Sequence, residues 1–180
     1  MLFRSRAPES AYLLALLYLH RTKGRDKAIP ALKRVAEEYP DSPCAPRALF
    51  QLALVQKKPA ANFIKKLFSS SGKTSDQAAA QTLEKIVRDY PRSEEAPGAL
   101  IELAKIYGPG RLNQPRKSLE VLGTLRQRYP NTAFPIDYYL AVNYEALGEK
   151  KTARELYKKF LAARPTGPEA REAQKRLESL

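Results

Sequence analysis

A proline step recurs four times in one register, and that recurrence constrains this 180-residue chain more than any other feature. The steps are Tyr39-Pro40, Tyr90-Pro91, Tyr129-Pro130 and Arg164-Pro165. Twelve residues before each proline stands a small residue, Ala28, Ala79, Ser118 or Ala153. Eight before it come Leu32, Leu83, Leu122 and Tyr157, and five before it Val35, Ile86, Leu125 and Phe160. A second ladder precedes the first, with Leu14-Ala15, Leu52-Ala53, Leu103-Ala104 and Leu140-Ala141. Tyr18, Gln56, Tyr107 and Tyr144 follow three residues after the alanine, and Ala7, Ala45, Ala96 and Ala133 lie seven before the leucine. Spacings of three and four mark one face of a helix, so each unit reads as two short helices joined by a turn. Four units give four antiparallel helix pairs, and no strand alternation or Asn-Gly hairpin competes.

The helix ends follow from the same residues. Pro40, Pro91, Pro130 and Pro165 cannot continue a helix and stop the second helix of each pair. Ser42, Ser93 and Thr132 are then placed to cap the next helix by accepting backbone N–H groups. Pro43, and Pro168 after Gly167, suit a first helical turn, where a missing N–H costs nothing. Alanine at the ladder positions lets paired helices approach, and the larger residues fill the space between pairs.

Composition narrows the chemistry. Hydrophobic residues make up 43% and charged residues 28%, which is globular rather than disordered. One cysteine excludes an internal disulfide framework, and one histidine excludes a multi-histidine metal site. The most apolar stretch, 11–19, is nine residues long and cannot span a bilayer. Arg4 and Arg6 ahead of it imitate a signal peptide, but His20-Arg21-Thr22-Lys23 stands where small residues mark a cleavage site.

The pattern resembles the tetratricopeptide repeat (TPR) family. Leu140-Ala141, Tyr144, Ala153, Tyr157 and Pro165 match that family's spacing without a gap, with alanine replacing its glycine. The other three copies match both halves and stretch the turn between them. The resemblance implies an α-solenoid, a right-handed superhelix of about four helix hairpins with a C-terminal cap helix. It implies one array over 1–180, with repeats about 7–40, 45–91, 96–130 and 133–165 and a cap at 168–180. The linker Tyr-Pro-x-Ser-x-x-Ala-Pro at 39–46 and 90–97 is similar to that of bacterial cell-envelope TPR proteins. Those include the periplasmic coordinator associated with the Tol–Pal system and the lipoprotein of the outer-membrane β-barrel assembly machine. The run 168–177 resembles the terminal helix of the former. The expectation is therefore a scaffold of the periplasm or cell envelope, with the cytoplasm as the alternative. Ala7-Pro8 repeats the spacing of Ala45-Pro46 and Ala96-Pro97, so the register expects the chain to begin inside a longer array.

The formal net charge of +13 is unevenly spread. Between 42 and 75 no acid accompanies Arg47, Lys57, Lys58, Lys65, Lys66 and Lys73. Between 103 and 130, Lys105, Arg111, Arg116, Lys117, Arg126 and Arg128 meet only Glu120, so the two stretches hold 11 of the 13 units. The turn inside the second pair is 14 residues longer than that of the fourth, an insertion over about 57–74. It contains Phe63, Ile64, Leu67 and Phe68, followed by a Ser69–Gly72 hinge. In a helical solenoid the turns within pairs share one edge, which would bring this insertion beside Gly108-Pro109-Gly110-Arg111. One reading packs the apolar residues on the array and leaves the lysines solvated. The other makes a basic edge of Lys57, Lys58, Lys65, Lys66, Lys73, Arg111, Arg116 and Lys117 that docks an acidic partner or an anionic membrane surface. No base-reading motif supports nucleic acid, which is disfavoured.

The family's first helices line an inner groove, and its spacing implies walls of Tyr12, Leu16, Phe50, Leu54, Ile101, Lys105, Tyr138 and Val142. Such a lining suits an amphipathic helix or extended peptide; the alternative reading packs some of these residues against neighbouring helices. The Lys/Asn/Arg clamp of chaperone-binding members is absent, since Tyr12 and Leu16 occupy its first positions. Cys44 and His20 fall at opposite turns and form no nucleophile–base pair, and Gly108-Pro109-Gly110 lacks the Lys-Ser/Thr of a phosphate loop. Glu94 and Glu95 open a helix, where the dipole favours them. No catalytic constellation, metal set, cofactor motif or small-molecule substrate site is legible, and the chain reads as a non-catalytic scaffold for an acidic or amphipathic protein or peptide.

Overall fold

The computed structural model describes residues 6–20, 24–57 and 71–180, the side chains of 71–74 aside. Among the described residues there are nine helices and no strand. They are α1 (Ala7–Leu19), α2 (Arg25–Glu38), α3 (Cys44–Lys57), α4 (Ser71–Asp89), α5 (Glu95–Tyr107), α6 (Pro115–Arg128), α7 (Ile136–Ala146), α8 (Lys150–Ala163) and α9 (Pro168–Ser179). No described helix is long and apolar enough to cross a membrane. The chain forms two compact units, Met1–Ala99 and Leu100–Leu180.

In the first unit α1 packs on α2, α2 on α3 and α3 on α4. One core cluster joins Ala15, Leu32, Val35, Cys44, Ala48 and Leu52, so Cys44 is a buried packing residue. In the second unit α6 packs on α7, α7 on α8 and α8 on α9, around Ala141, Ala153, Tyr157, Phe160, Ala170 and Ala173. The small ladder residues Ala28, Ala79, Ser118 and Ala153 are all at 0% exposure, as close helix approach requires. Serine is admitted to that row because its hydroxyl donates to the Ala104 carbonyl of the paired helix (2.8 Å). The larger ladder residues, Leu32, Leu83, Leu122, Tyr157, Val35, Ile86, Leu125 and Phe160, are buried too.

The four proline steps build one recurring ending. Tyr39, Tyr90, Tyr129 and Arg164 each donate their N–H to the carbonyl four residues back (2.8–3.1 Å). Where the helix gives out, Tyr39, Tyr129 and Arg164 hold φ of −131°, −132° and −144°, the extended range that a following proline imposes. Three linkers then close the same turn, with Ser42, Ser93 and Thr132 donating N–H to the carbonyls of Tyr39, Tyr90 and Tyr129 (3.0–3.1 Å).

The caps divide. Ser42 Oγ accepts the Cys44 N–H (3.1 Å) at the start of α3. Ser93 does not cap: its hydroxyl is buried with no hydrogen-bond partner, and α5 opens instead through the Ala96 N–H on the Ser93 carbonyl (3.2 Å). Thr132 Oγ1 accepts from Phe134 N–H (3.3 Å), a turn short of α7, because Pro135 occupies the cap position. Pro168 takes the first position of α9 after Gly167, whose φ of 111° suits a residue without Cβ. Ser71 and Gly72 of the expected hinge belong to α4. Residues 58–70, which carry most of the expected insertion, lie outside the described residues. Gln56, standing where the other pairs have tyrosine, ties α3 to α4: Ser75 Oγ donates to its backbone carbonyl and Thr82 Oγ1 to its side-chain oxygen (2.9 Å).

Candidate functional site

The expected groove residues are half-buried on the first helices of each unit. In the first unit Tyr12 and Leu16 lie one turn apart on α1, and Tyr12 rests on the core cluster. Burial pushes the Tyr12 phenol up, Arg47 draws it down, and Glu95 and Cys44 push it further up. Phe50 and Leu54 repeat the one-turn spacing on α3. The Phe50 ring covers Gly98 so closely that a Cβ there would stand 3.0 Å from its Cζ. Glycine at 98 therefore sets how far that ring settles toward the backbone. Arg47, read as an unopposed cation, meets Glu94 (3.3 Å) and Glu95 (3.6 Å) from beyond the basic stretch.

In the second unit Ile101 and Lys105 lie on α5, and Tyr138 and Val142 on α7. Lys105 Nζ pairs with Glu102 (3.3 Å) and stands 5.6 Å from the centroid of the Phe134 ring. Phe134 stacks on Tyr139 at 4.6 Å, and Tyr139 meets Tyr138 edge-on at 5.2 Å. Tyr138 in turn approaches Phe160 (5.5 Å) and Tyr157 (6.1 Å), so the surface aromatics continue into the core. Phe134 and Tyr139 were not among the expected lining residues. The only sequence signals for them are the Phe134-Pro135 step and the Tyr138-Tyr139 doublet.

A polar chain fixes this aromatic face. Tyr157 donates its hydroxyl to Glu145 (2.7 Å), which also accepts from Arg176 of α9 (3.2 Å), and Arg176 donates to Glu172 (2.9 Å). Burial, the Glu145 hydrogen bond and the Glu145 charge together push the Tyr157 phenol far above the ordinary tyrosine range. Burial likewise raises Tyr138 and Tyr139. Arg176 partly offsets this for Tyr138, while Glu172, Glu169 and Glu145 reinforce it; Glu169 and Glu102 add to it for Tyr139. The face is aromatic and bordered by carboxylates, in a chain whose net charge is +13. Beside it a pocket of about 240 Å³ is lined by Arg126, Thr132, Phe134, Asp137 and Arg164. Its ionic groups are already engaged: Asp137 pairs with Arg126 and with Lys159 (3.2 Å), and Arg164 donates to the Ala133 carbonyl (2.6 Å).

Of the expected basic edge, Arg116 and Lys117 are exposed in the first turn of α6, and Lys117 Nζ stands 5.3 Å from the Tyr107 centroid. Arg111 and Lys57 are half-buried. The turn holding Arg111 is built by Leu112, Asn113 and Gln114 N–H groups on the carbonyls of Ile106, Gly108 and Tyr107 (2.8–3.3 Å). Lys58, Lys65 and Lys66, and the side chain of Lys73, lie outside the described residues. His20 is exposed after α1, and among the described residues no group of three or more His, Cys, Asp or Glu is placed to hold a metal.

Comparison with known proteins agrees with this geometry. The tetratricopeptide repeat family model matches residues 9–42, 47–93 and 137–167, leaving out the third helix pair with its elaborated turn. No curated protein sequence matches the chain. Among solved structures, MamA 41-end from Desulfovibrio magneticus RS-1 is 15% identical, covers 97% of this chain and 97% of its own, and superposes with a TM-score of 0.65. A MamA RS-1 ArsTM double mutant is 17% identical over 89% of this chain and 77% of that one, with a TM-score of 0.64. The nearly identical TPR-like repeats of a Podospora anserina kinesin light chain are 18% identical over 96% of this chain and 85% of that one, at 0.64. At such identities the likeness speaks for the fold alone. With more than half its residues matched by the repeat model, the chain belongs to the tetratricopeptide repeat family.

Proposed function

We propose that this protein is a non-catalytic scaffold that binds a protein or peptide on the exposed faces of its first helices. We further propose that it works in assembling or coordinating bacterial envelope complexes, in the periplasm or at the cell envelope. Membership of a family of generally non-catalytic interaction scaffolds supports the first part. The observation that carries it is the aromatic face of the second unit, where Phe134, Tyr138 and Tyr139 are held half-exposed beside the buried Tyr157 and its hydrogen-bonded partners Glu145 and Arg176. Rigid aromatics with one wet side contribute contact area at low entropic cost. Glu102, Glu145 and Glu172 beside them are paired with Lys105 and Arg176, so the aromatic surface rather than its charge recommends an amphipathic partner on this face. Support for the envelope comes from the Tyr-Pro-x-Ser-x-x-Ala-Pro linker and the terminal helix.

A second reading draws on where the cations stand. Arg116 and Lys117 open α6, with no acidic residue in its first turn. Cations at a helix N-terminus oppose the dipole at a cost of about 0.3–1 kcal/mol each, so helix stability does not account for them. In this reading they form an edge that takes an anionic polymer or surface: nucleic acid, phospholipid or polysaccharide. A pull-down at two salt concentrations separates the readings. Retention of one protein at high salt supports the first, whereas steep loss of any polyanion with rising salt supports the edge and counts against it.

A further inference from the structure

The pocket beside the aromatic face of the second unit holds more positive charge than its own carboxylate neutralises. Arg126 of α6 and Arg164, which caps α8, line it together with Asp137 at the start of α7. Asp137 divides its two carboxylate oxygens between Arg126 and Lys159 of α8, the latter at 3.2 Å. Arg164 meets the Ala133 carbonyl (2.6 Å), a contact that fixes the guanidinium without cancelling its charge. Three cations thus surround one acid. The Thr132 hydroxyl accepts from the Phe134 N–H, which leaves its own proton to donate. Phe134, Ile136 and Phe160 supply apolar walls, against which opposite charges attract more strongly than in open water.

We propose that this pocket seats the side-chain carboxylate of an Asp or Glu in the partner segment that the aromatic face binds. The proposal rests on the reading of that face as a docking surface and adds a residue type to what it selects. Size sets the first limit. About 240 Å³ is below the roughly 300–1,000 Å³ of sites that enclose a whole small molecule, and it suits one side chain. Charge sets the second: a planar monoanion matches the arginine forks, whereas a phosphate would bring its higher charge against Asp137. Continuity sets the third. Phe134 stacks on Tyr139 and Phe160 approaches Tyr138, and both also wall the pocket, so a segment lying on the face passes its mouth. The apolar residues of that segment take the aromatics, and an acid beside them takes Arg126 and Arg164.

Backbone amide shifts of the full chain, titrated with the blocked peptide acetyl-Leu-Glu-Leu-amide, test this. The amides of Ala133, Phe134, Asp137 and Arg164 should move together and saturate, and acetyl-Leu-Gln-Leu-amide should bind at least about fivefold more weakly. Asp137→Asn frees Arg126 and Lys159, and should tighten the Glu peptide by about twofold to fivefold; Arg164→Gln should weaken it by a similar factor. Equal binding of the Glu and Gln peptides overturns the proposal. So does tighter binding of inorganic phosphate, or of acetyl-Leu-Gln-Leu with a free C-terminal carboxylate. A crosslinker at Tyr138 that still captures a protein after such a result keeps the docking face and removes only the carboxylate seat. Pocket shifts that persist where that capture fails remove the face and keep the seat.

Discussion

Single residues show how strictly the ladder is enforced and where it is broken. Ser118 and Asn143 are the buried polar residues of the described core. Ser118 is satisfied by the Ala104 carbonyl, so it costs little in a row of alanines. Asn143 is only half satisfied: its amide donates to the Tyr139 carbonyl (2.7 Å), while Oδ1 is buried with no partner. It occupies the position held by Leu17, Val55 and Ile106 in the other repeats. Asn143→Leu, nearly the same shape, should therefore stabilise the second unit by about 1–2 kcal/mol, read as a higher urea midpoint at unchanged slope. A lower midpoint would mean that the amide bond to Tyr139 outweighs the orphaned oxygen. The unsatisfied oxygen of Asn143 is visible only in three dimensions.

At the scale of elements, the helices and their proline endings were legible because local sterics and a repeated register determine them. The capping roles were legible only in part. Ser42 caps and Ser93 does not, although both occupy the same place in the same linker, since a serine hydroxyl has several rotamers and the turn is already closed by backbone bonds. Contacts between elements were not legible at all. The chain from Tyr157 on α8 through Glu145 on α7 to Arg176 on α9 is one such case. Tyr157→Phe should cost about 1–2 kcal/mol, because a buried hydroxyl–carboxylate bond is lost while Arg176 still serves Glu145. The pH dependence has a definite sign. A phenol raised in the folded state leaves stability intact below its ordinary value of about 10 and erodes it above, as the unfolded chain releases the proton first. Thermal unfolding across pH 9–11 should show that decline in the wild type and a shallower one in Tyr157→Phe. Parallel declines would remove Tyr157 from the account.

For the molecule as a whole, net charge alone misleads. Several cations read as unopposed are paired in space, Arg47 with Glu94 and Glu95, Lys105 with Glu102, and Arg126 with Asp137. The aromatic face is bordered by ion pairs, and the exposed Leu13, Leu14 and Leu17 occupy a helix whose only charged residue is Glu9. Family spacing places Tyr138 on the first helix of its pair, whereas Phe134 and Tyr139 could not be read from it, because their stacking brings a linker residue onto α7. Leu14 reads like Leu52 yet stands open, since burial depends on a neighbour that register alone does not supply. The central claim is that partners are taken by the first-helix faces. Photo-crosslinking tests it most directly, with a benzophenone side chain placed at Phe50 or Tyr138, and at Arg116 or Lys117 for comparison, in a bacterial envelope fraction. The account predicts one discrete protein adduct from positions 50 and 138, retained at high salt. Adducts from 116 and 117 alone, vanishing as salt rises, would contradict it.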